Sequence, residues 1–174
     1  MRKKSIIILI SLMALALWLS SCSYGSGVTL PWRDVELTDV RTEETFKISK
    51  FAGKPVVIEM MTTTCHICED QMKQIAKAYE QAGEDVVFIS LNLDSSVSDE
   101  ALREHMESMG FDWFAATLSR DQVRSLEAEF GPHIVNLAAS PVIILDPWQD
   151  AHMLKPGMKT ADQLLDQIAE IGGL

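Results

Sequence analysis

Apolar and polar positions follow two different periods along this chain, and the period separates predicted strands from predicted helices. Near-continuous apolar runs, which are typical of strands buried on both faces, occupy KPVVIEMM (54–61), DVVFISLNL (85–93) and PVIILD (141–146). Alternating VELTDV (35–40) and TFKIS (45–49) predict a hairpin around RTEE. DWFAATL (112–118) and AHMLK (151–155) predict two further short strands.

Between these runs the apolar spacing becomes helical. One predicted helix face carries Cys68, Met72, Ile75, Ala76 and Tyr79. Three more helices are predicted from caps and stops: 98–110 ending at Gly110, 119–131 opened by the Ser119/Gln122 capping box, and 160–172 opened by Thr160 and Gln163. Strands and helices alternate through the middle with hairpins at both ends. This pattern predicts one α/β domain of three layers with a mixed central sheet.

The first 22 residues have the pattern of an export signal. Arg2, Lys3 and Lys4 precede an uncharged, mostly apolar run over 6–19, and the segment ends in Leu19-Ser20-Ser21-Cys22, which resembles a bacterial lipobox. The resemblance implies a signal peptide over 1–21, a lipidated Cys22 with a short tether over 22–29, and one domain over 30–174. The protein is then a membrane-anchored lipoprotein facing the periplasm or cell exterior. An ordinary signal peptide or an uncleaved anchor is the alternative.

The net charge of the predicted domain limits which classes of partner it can bind. Removing the three basic signal residues takes the Lys and Arg count from 15 to 12 against 25 Asp and Glu, a net charge of about −13. A domain this acidic is not suited to nucleic acid or to an anionic lipid surface. We therefore expect membrane attachment through the lipid anchor alone.

Cys65 and Cys68 are the two cysteines left if Cys22 carries lipid, an even pair in a compartment that permits disulfides. They lie where a buried strand ends and a helix begins, so the first meets free backbone N–H groups and the positive end of the helix dipole. Both favour a thiolate. The spacing suits one exposed nucleophile and one shielded resolving partner. The histidines, at 66, 105, 133 and 152, are too scattered to complete a structural zinc site.

Two other positions interrupt the apolar pattern. Glu59 places a carboxyl inside a buried strand, which is costly unless the group is paired or functional, although an edge strand would let it face solvent. Ser140-Pro141 opens a later strand, where a cis bond is sometimes found.

His66 is predicted to be an exposed residue at the helix start that tunes Cys65. Trp32, Trp113 and Trp148 are predicted to pack in the interior.

Together, the CxxC at a helix start, the acid six residues before it and the Pro opening a later strand resemble the thioredoxin fold. The leading segment 35–60 and the extra strand–helix unit before Pro141 resemble the TlpA/ResA-type thiol–disulfide oxidoreductases more closely. The resemblance covers roughly residues 30–171. It implies a thioredoxin-like three-layer sandwich, a mixed central sheet with an N-terminal hairpin and an inserted strand–helix unit.

The resemblance also implies roles. Cys65 attacks, Cys68 resolves, and Glu59 moves protons to and from Cys68. Pro141, expected cis, lies against the disulfide, the Ser140 backbone pairs with an extended client segment, and His66 belongs to the same client surface. No cofactor is expected. The partners are exported clients with thiols or disulfides, including apocytochrome c, and an integral-membrane electron donor. Two positions depart from the usual pattern: Thr64 stands in place of Trp, and His66-Ile67 stands in place of the usual insert, and these positions bear on substrate preference and redox potential.

Two other functions stay open. The stretch from FISLNLD to AEFG also resembles the SCO copper chaperones, which implies Cu(I) held by Cys65, Cys68 and His133, although that family uses CxxxC and a His nearer the late strand. A thiol peroxidase is the third class, because Thr62-x-x-Cys65 resembles its T-x-x-C motif. The Pro expected four residues before that Thr is Ile58 here.

Overall fold

The computed structural model describes residues 31–173, which contain seven β-strands and four α-helices. The strands are β1 (Leu37–Thr38), β2 (Thr45–Phe46), β3 (Val56–Met61), β4 (Val87–Asn92), β5 (Phe114–Thr117), β6 (Val142–Leu145) and β7 (Ala151–Met153). The helices are α1 (His66–Ala82), α2 (Asp99–Met109), α3 (Arg120–Phe130) and α4 (Ala161–Gly172).

Five strands form one mixed sheet in the order β5-β4-β3-β6-β7. The strands β3, β4 and β5 run parallel, with Glu59 opposite Ser90 and Ser90 opposite Ala115. The strands β6 and β7 return antiparallel, so Val142 lies opposite Glu59. A separate two-stranded antiparallel sheet joins β1 and β2. The sheet is therefore mixed: crossover connections join its parallel strands, and β6 and β7 form an antiparallel hairpin beside β3.

Every residue of β3 is buried, as its apolar run predicts. Side chains alternate across the strand, so Val57 and Met61 face a cluster that includes α1, α2 and α4. Val56, Ile58 and Met60 face a second cluster that includes α3 and the N-terminal hairpin. The predicted thioredoxin-like sandwich, with its hairpin and its inserted β5–α3 unit, is confirmed.

The predicted helix starts are also confirmed. The hydroxyls of Ser98, Ser119 and Thr160 accept backbone N–H groups three residues on, at 3.2, 3.3 and 3.3 Å. Reciprocal capping boxes join Ser119 with Gln122 and Thr160 with Gln163. Gly110 ends α2 in the left-handed conformation, as its stop position predicts.

Two local predictions are wrong. The strand predicted over 45–49 stops at Phe46, and Ile48–Phe51 forms a 3-10 turn that buries Ile48. The redox helix begins at His66 with Cys65 as its N-cap, as the predicted strand–helix junction implies. Trp32 and Trp113 are buried as predicted, but Trp148 is 79% exposed in the turn between β6 and β7.

The predicted signal peptide, Cys22 and tether lie outside the described residues. Within residues 31–173, no helix has both the length and the hydropathy needed to cross a membrane.

Candidate active site

The two cysteines lie at the junction that the sequence predicts, after β3 and at the start of α1. They form a disulfide with their Cα atoms 5.2 Å apart. Cys65 is the N-cap of α1, in an extended backbone conformation, and its Sγ accepts the backbone N–H of Cys68 at 3.3 Å. Cys65 is partly exposed, whereas Cys68 is only 2% exposed. The pair therefore has one sulfur that a client can reach and one that the helix shields.

The helix start surrounds Cys65 with positive potential. The first turn of α1 presents N–H groups that lack intrahelical partners, and the helix dipole adds partial positive charge there. A thiolate at Cys65 is stabilised by both. His66 and Ile67 are exposed, so the surface between the sulfurs is open to a client. This placement of His66 agrees with the prediction of an exposed residue at the helix start.

Glu59 is buried in the middle of the central strand β3, only 2% exposed, so the solvent-facing alternative is excluded. The hydroxyl of Ser90 donates a hydrogen bond of 2.7 Å to its Oε1. Burial raises the pKa of Glu59 to about 8, and the bond from Ser90 opposes that rise. The carboxyl therefore changes protonation near neutral pH.

Glu59 and Cys68 belong to the same side of the sheet. Alternation places Glu59 on the face of Val57 and Met61, and these two residues pack in one apolar cluster with Cys68 and Met72 of α1. The buried acid and the buried sulfur thus share one apolar layer between the sheet and the redox helix, as the predicted proton transfer between them requires.

The prediction of a cis peptide bond before Pro141 is wrong, because every peptide bond in residues 31–173 is trans. Ser140 instead turns the chain with a left-handed backbone, at φ 46° and ψ 63°, at the end of a 3-10 turn. Its N–H donates to the carbonyl of Leu137 at 2.9 Å, and Pro141 then begins the β3 pairing by accepting the N–H of Met60 at 3.2 Å.

The pairing of the Ser140 backbone with a client stays a prediction. The N–H of Ser140 is already bonded within the protein, and its carbonyl accepts the Nζ of Lys159. The residue is 3% exposed. A client segment can use the N–H of Ser140 only if its bond to Leu137 opens, whereas the carbonyl keeps a second lone pair.

Two residues that sequence reasoning missed connect this loop to the redox helix. The buried amide of Gln71, three residues after Cys68, accepts the backbone N–H of Lys159 at 2.7 Å and donates to its carbonyl at 3.1 Å. Lys159 is 7% exposed, and burial lowers its pKa to about 8. Gln71 had a weak sequence signal, a polar side chain beside the apolar face of Cys68 and Met72. Lys159 had none.

Comparison with known proteins identifies the family of this chain. The sequence model of the AhpC/TSA family matches residues 28–145, more than half of the chain. The chain belongs to the AhpC/TSA family. No curated protein matched the sequence.

Solved structures with the same fold include three of stated redox or exported character. A thiol:disulfide interchange protein of the thioredoxin family from Chlorobium tepidum aligns with TM-score 0.69 and 11% identity, over 82% of this chain and 96% of that one. A secreted Mycobacterium tuberculosis disulfide oxidoreductase homologous to E. coli DsbE aligns with TM-score 0.62 and 12% identity, over 80% and 97%. The exposed lipoprotein thioredoxin Etrx1 of Streptococcus pneumoniae aligns with TM-score 0.61 and 19% identity, over 79% and 98%. These likenesses establish the thioredoxin fold for this AhpC/TSA member.

The copper ligand set suggested by sequence is not assembled in this AhpC/TSA protein. Within residues 31–173, no three His, Cys, Asp or Glu side chains lie close enough together to hold a metal ion. His133 lies in a 3-10 turn after α3, and its neighbour Ile134 packs in the cluster on the other face of the sheet from Cys68. The residues present therefore do not fit a Cu(I) site built from Cys65, Cys68 and His133.

A cavity of about 700 Å³ in the AhpC/TSA domain is remote from the cysteines. Val87 and Phe114, which begin β4 and β5, line it. Because β3, β4 and β5 run parallel, the cavity lies at the N-terminal ends of these strands. Cys65 lies beyond the opposite, C-terminal end of β3. No predicted site residue lines the cavity, so we place the candidate active site at the cysteines and not there.

Proposed function

We propose that this protein is a membrane-tethered, extracytoplasmic thiol–disulfide oxidoreductase that reduces disulfides of exported proteins. One observation carries the proposal: a disulfide-forming pair at a helix start, with Cys65 accessible and Cys68 buried on the side of the sheet that holds the carboxyl of Glu59. The family and the fold support thiol–disulfide chemistry.

The reaction starts from the dithiol form. The Cys65 thiolate attacks one sulfur of the client disulfide, the client S–S bond breaks, and the leaving client thiolate takes up a proton. Cys68 then gives its proton to the Glu59 carboxylate and attacks the Sγ of Cys65. The mixed disulfide breaks, the second client thiolate is released and protonated, and the Cys65–Cys68 disulfide remains. Two electrons have moved from the enzyme pair to the client.

The proposed role of Glu59 follows from its environment. A group that accepts and returns a proton works best when its pKa lies near the working pH. Burial provides this by raising the pKa of Glu59 to about 8. The same carboxyl protonates Cys68 again when the disulfide is reduced.

The location and the partners rest on the sequence. The lipobox-like segment ending at Cys22 supports a lipid anchor, and two structures of the same fold are described as secreted or as an exposed lipoprotein. A tethered reductant must recover two electrons after each cycle, so we propose an integral-membrane dithiol donor. Oxidised thiols of apocytochrome c are the proposed client class, as the TlpA/ResA resemblance implies.

Trapping of clients tests the proposal. In Cys68→Ala the resolving sulfur is absent, so Cys65 should stay in mixed disulfides that accumulate in an envelope extract and disappear on reduction. The matched control is the double variant Cys65→Ala/Cys68→Ala, which should trap nothing. No Cys65-dependent adduct from an envelope extract would contradict the proposal. Fast peroxide turnover by wild-type protein would instead support the peroxidase alternative.

A further inference from the structure

Three buried side chains form a hydrogen-bonded chain across the sheet that ends at Glu59. The indole Nε1–H of Trp113 donates to the Oγ of Ser90 at 2.8 Å, and that hydroxyl donates to Oε1 of Glu59 at 2.7 Å. The three residues are 3%, 0% and 2% exposed. The bonds join β3, β4 and the residue just before β5.

When Glu59 is ionised, the chemistry of the three groups gives the chain one direction, because a carboxylate only accepts hydrogen bonds. An indole N–H only donates, so the hydroxyl of Ser90 must be its acceptor. The single hydroxyl hydrogen is then free to point at Glu59. The Trp113 bond therefore ends on the Ser90 oxygen, and the Ser90 hydrogen is directed at the carboxyl. This arrangement favours an oxygen that carries negative charge, because a hydrogen bond to an ionised acceptor is stronger than one to a neutral acceptor.

Packing holds both donors in place. The ring of Trp113 stacks on Phe111 at 4.8 Å between centroids and contacts Tyr79 at 5.6 Å. Ser90 lies between its two ladder partners, Glu59 on β3 and Ala115 on β5. Neither donor can turn away without disturbing the core, so the carboxyl meets one preformed donor, the Ser90 hydroxyl, which Trp113 holds in place.

We propose that Ser90 and Trp113 are positioning residues for proton transfer at Glu59, holding its carboxylate in one orientation and stabilising its ionised form. The inference rests on the proposed function, because it assigns a purpose to the carboxyl that accepts the proton of Cys68. Trp113 and Ser90 touch neither client nor sulfur in this role, and they act through Glu59 alone.

No other described group competes for this role. Within residues 31–173, Glu59 takes part in no ion pair, and burial and Ser90 are the causes of its shifted pKa. The buried or partly buried titratable groups on the elements around this face include Cys68 and Tyr79 on α1, His105 on α2, Lys159 before α4 and Asp39 beside β5. Lys159 donates to the Ser140 carbonyl and Asp39 accepts the N–H of Ala115, so neither is bonded to Glu59.

Removing the hydroxyl of Ser90 should shift the pKa of Glu59 by a measurable amount. In Ser90→Ala the carboxylate loses its direct hydrogen bond, and the pKa of Glu59 should rise by about one to two units, as expected for a hydrogen bond to a charged group. Trp113→Phe keeps the direct bond but leaves the hydroxyl without its own donor, so a smaller rise is expected. Ser90→Thr keeps the hydroxyl and should restore the wild-type value.

The experiment uses the full chain in detergent micelles with ¹³C-labelled glutamate carboxyls. Carboxyl resonances are followed from pH 5 to 10 in the oxidised wild type, Ser90→Ala, Trp113→Phe and Ser90→Thr, and Glu59→Gln identifies the Glu59 signal. The pH dependence of client disulfide reduction is measured in the same variants. We expect the titration midpoint and the midpoint of the pH–rate profile to rise together in Ser90→Ala and to return in Ser90→Thr.

Each result that differs from this expectation would contradict either the inference or the proposed function. An unchanged Glu59 titration in Ser90→Ala would overturn the inference. A shifted titration with an unchanged pH–rate profile would also overturn it, because the carboxyl would then not be the proton acceptor. A wild-type chain without exchange activity would contradict the proposed function, and the NMR titration would still decide whether the two donors stabilise the carboxylate.

Discussion

The four α-helices in residues 31–173 begin in two chemically different ways. The helices α2, α3 and α4 start after Ser98, Ser119 and Thr160, whose hydroxyl oxygens accept a backbone N–H at 3.2 to 3.3 Å. The redox helix α1 starts after Cys65, whose sulfur takes the same position and accepts the N–H of Cys68 at 3.3 Å. Ser, Thr, Asp and Asn are the preferred N-caps, and a thiol is a weaker acceptor.

The difference separates a structural cap from a reactive one. A hydroxyl at a helix start stays neutral and stabilises the fold. A thiol there can ionise, and the free N–H groups and the helix dipole then stabilise the thiolate. Among the four helices of residues 31–173, only α1 combines such a cap with a second sulfur one turn on and with a buried acid on the adjacent strand β3. The site thus places its reactive group where the other helices have their caps.

The largest effect is expected from converting the reactive cap into a structural one. In Cys65→Ser the hydroxyl can cap α1, so the fold should persist, while disulfide exchange should fall at least about a thousandfold because the nucleophile is gone. Exchange rates and far-UV circular dichroism measure the two effects. Stability should be compared with reduced wild type, since both lack the disulfide. Exchange retained above about 1% of wild type would mean that Cys65 is not the attacking sulfur.

A smaller effect on rate is expected from the buried acid, with a distinctive pH signature. Glu59→Gln should slow client reduction near neutral pH by about tenfold to a hundredfold, since the proton of Cys68 loses its acceptor. Rates measured from pH 6 to 9 check this, and the wild-type inflection near pH 8 should be lost in the variant. An unchanged pH profile would remove Glu59 from the mechanism.

The same substitution changes the pH dependence of stability. The folded pKa of Glu59, about 8, lies above its ordinary 4.5, so the folded state binds more protons between these values. The contribution of Glu59 to stability is therefore fully present below pH 4.5 and is lost as pH rises through 8, whereas the Gln variant lacks this loss. Urea unfolding of the oxidised proteins at pH 5 and 9 should show the variant gaining on the order of 3 to 5 kcal/mol relative to wild type at the higher pH. An equal difference at both pH values would contradict the burial of a titrating carboxyl.

The smallest effect is expected at a purely structural cap. Ser119→Ala should lower the free energy of unfolding by about 1 kcal/mol because α3 loses its capping box, and it should leave exchange activity unchanged. Chemical denaturation and client reduction measure both, with Ser119→Asp as the matched variant that keeps an acceptor. A loss of activity in Ser119→Ala without loss of stability would break the distinction between the two kinds of cap.

The sequence predicted those features that depend on local patterns. Apolar runs predicted the buried strands. The caps at Ser119 and Thr160 predicted helix starts, because capping involves residues only three positions apart. Glu59 was noticed because a charge stands out in an apolar strand. Cys65 and Cys68 were identified from their spacing and from the strand–helix junction.

Features that depend on tertiary contacts were missed. Ser90 interrupts an apolar run as Glu59 does, but a small hydroxyl is common in strands and gives no signal of its partner. The bonds from Trp113 to Ser90 and from Gln71 to Lys159 span 23 and 88 residues, which no local pattern encodes. The cis prediction at Pro141 failed because the turn is made by the left-handed backbone of Ser140, held by contacts with Leu137 and Lys159.

The reduction potential of the Cys65–Cys68 pair tests the central claim most directly. Full-length protein in detergent is equilibrated with defined thiol buffers, and the fraction of disulfide is measured after acid quenching and thiol labelling. We expect one reversible two-electron transition near or below about −250 mV, in the range of thioredoxin as a reductant. A value near about −120 mV, in the range of strong oxidants, would reverse the proposed direction of electron flow. The absence of any reversible transition would contradict the proposal that this pair exchanges electrons with clients.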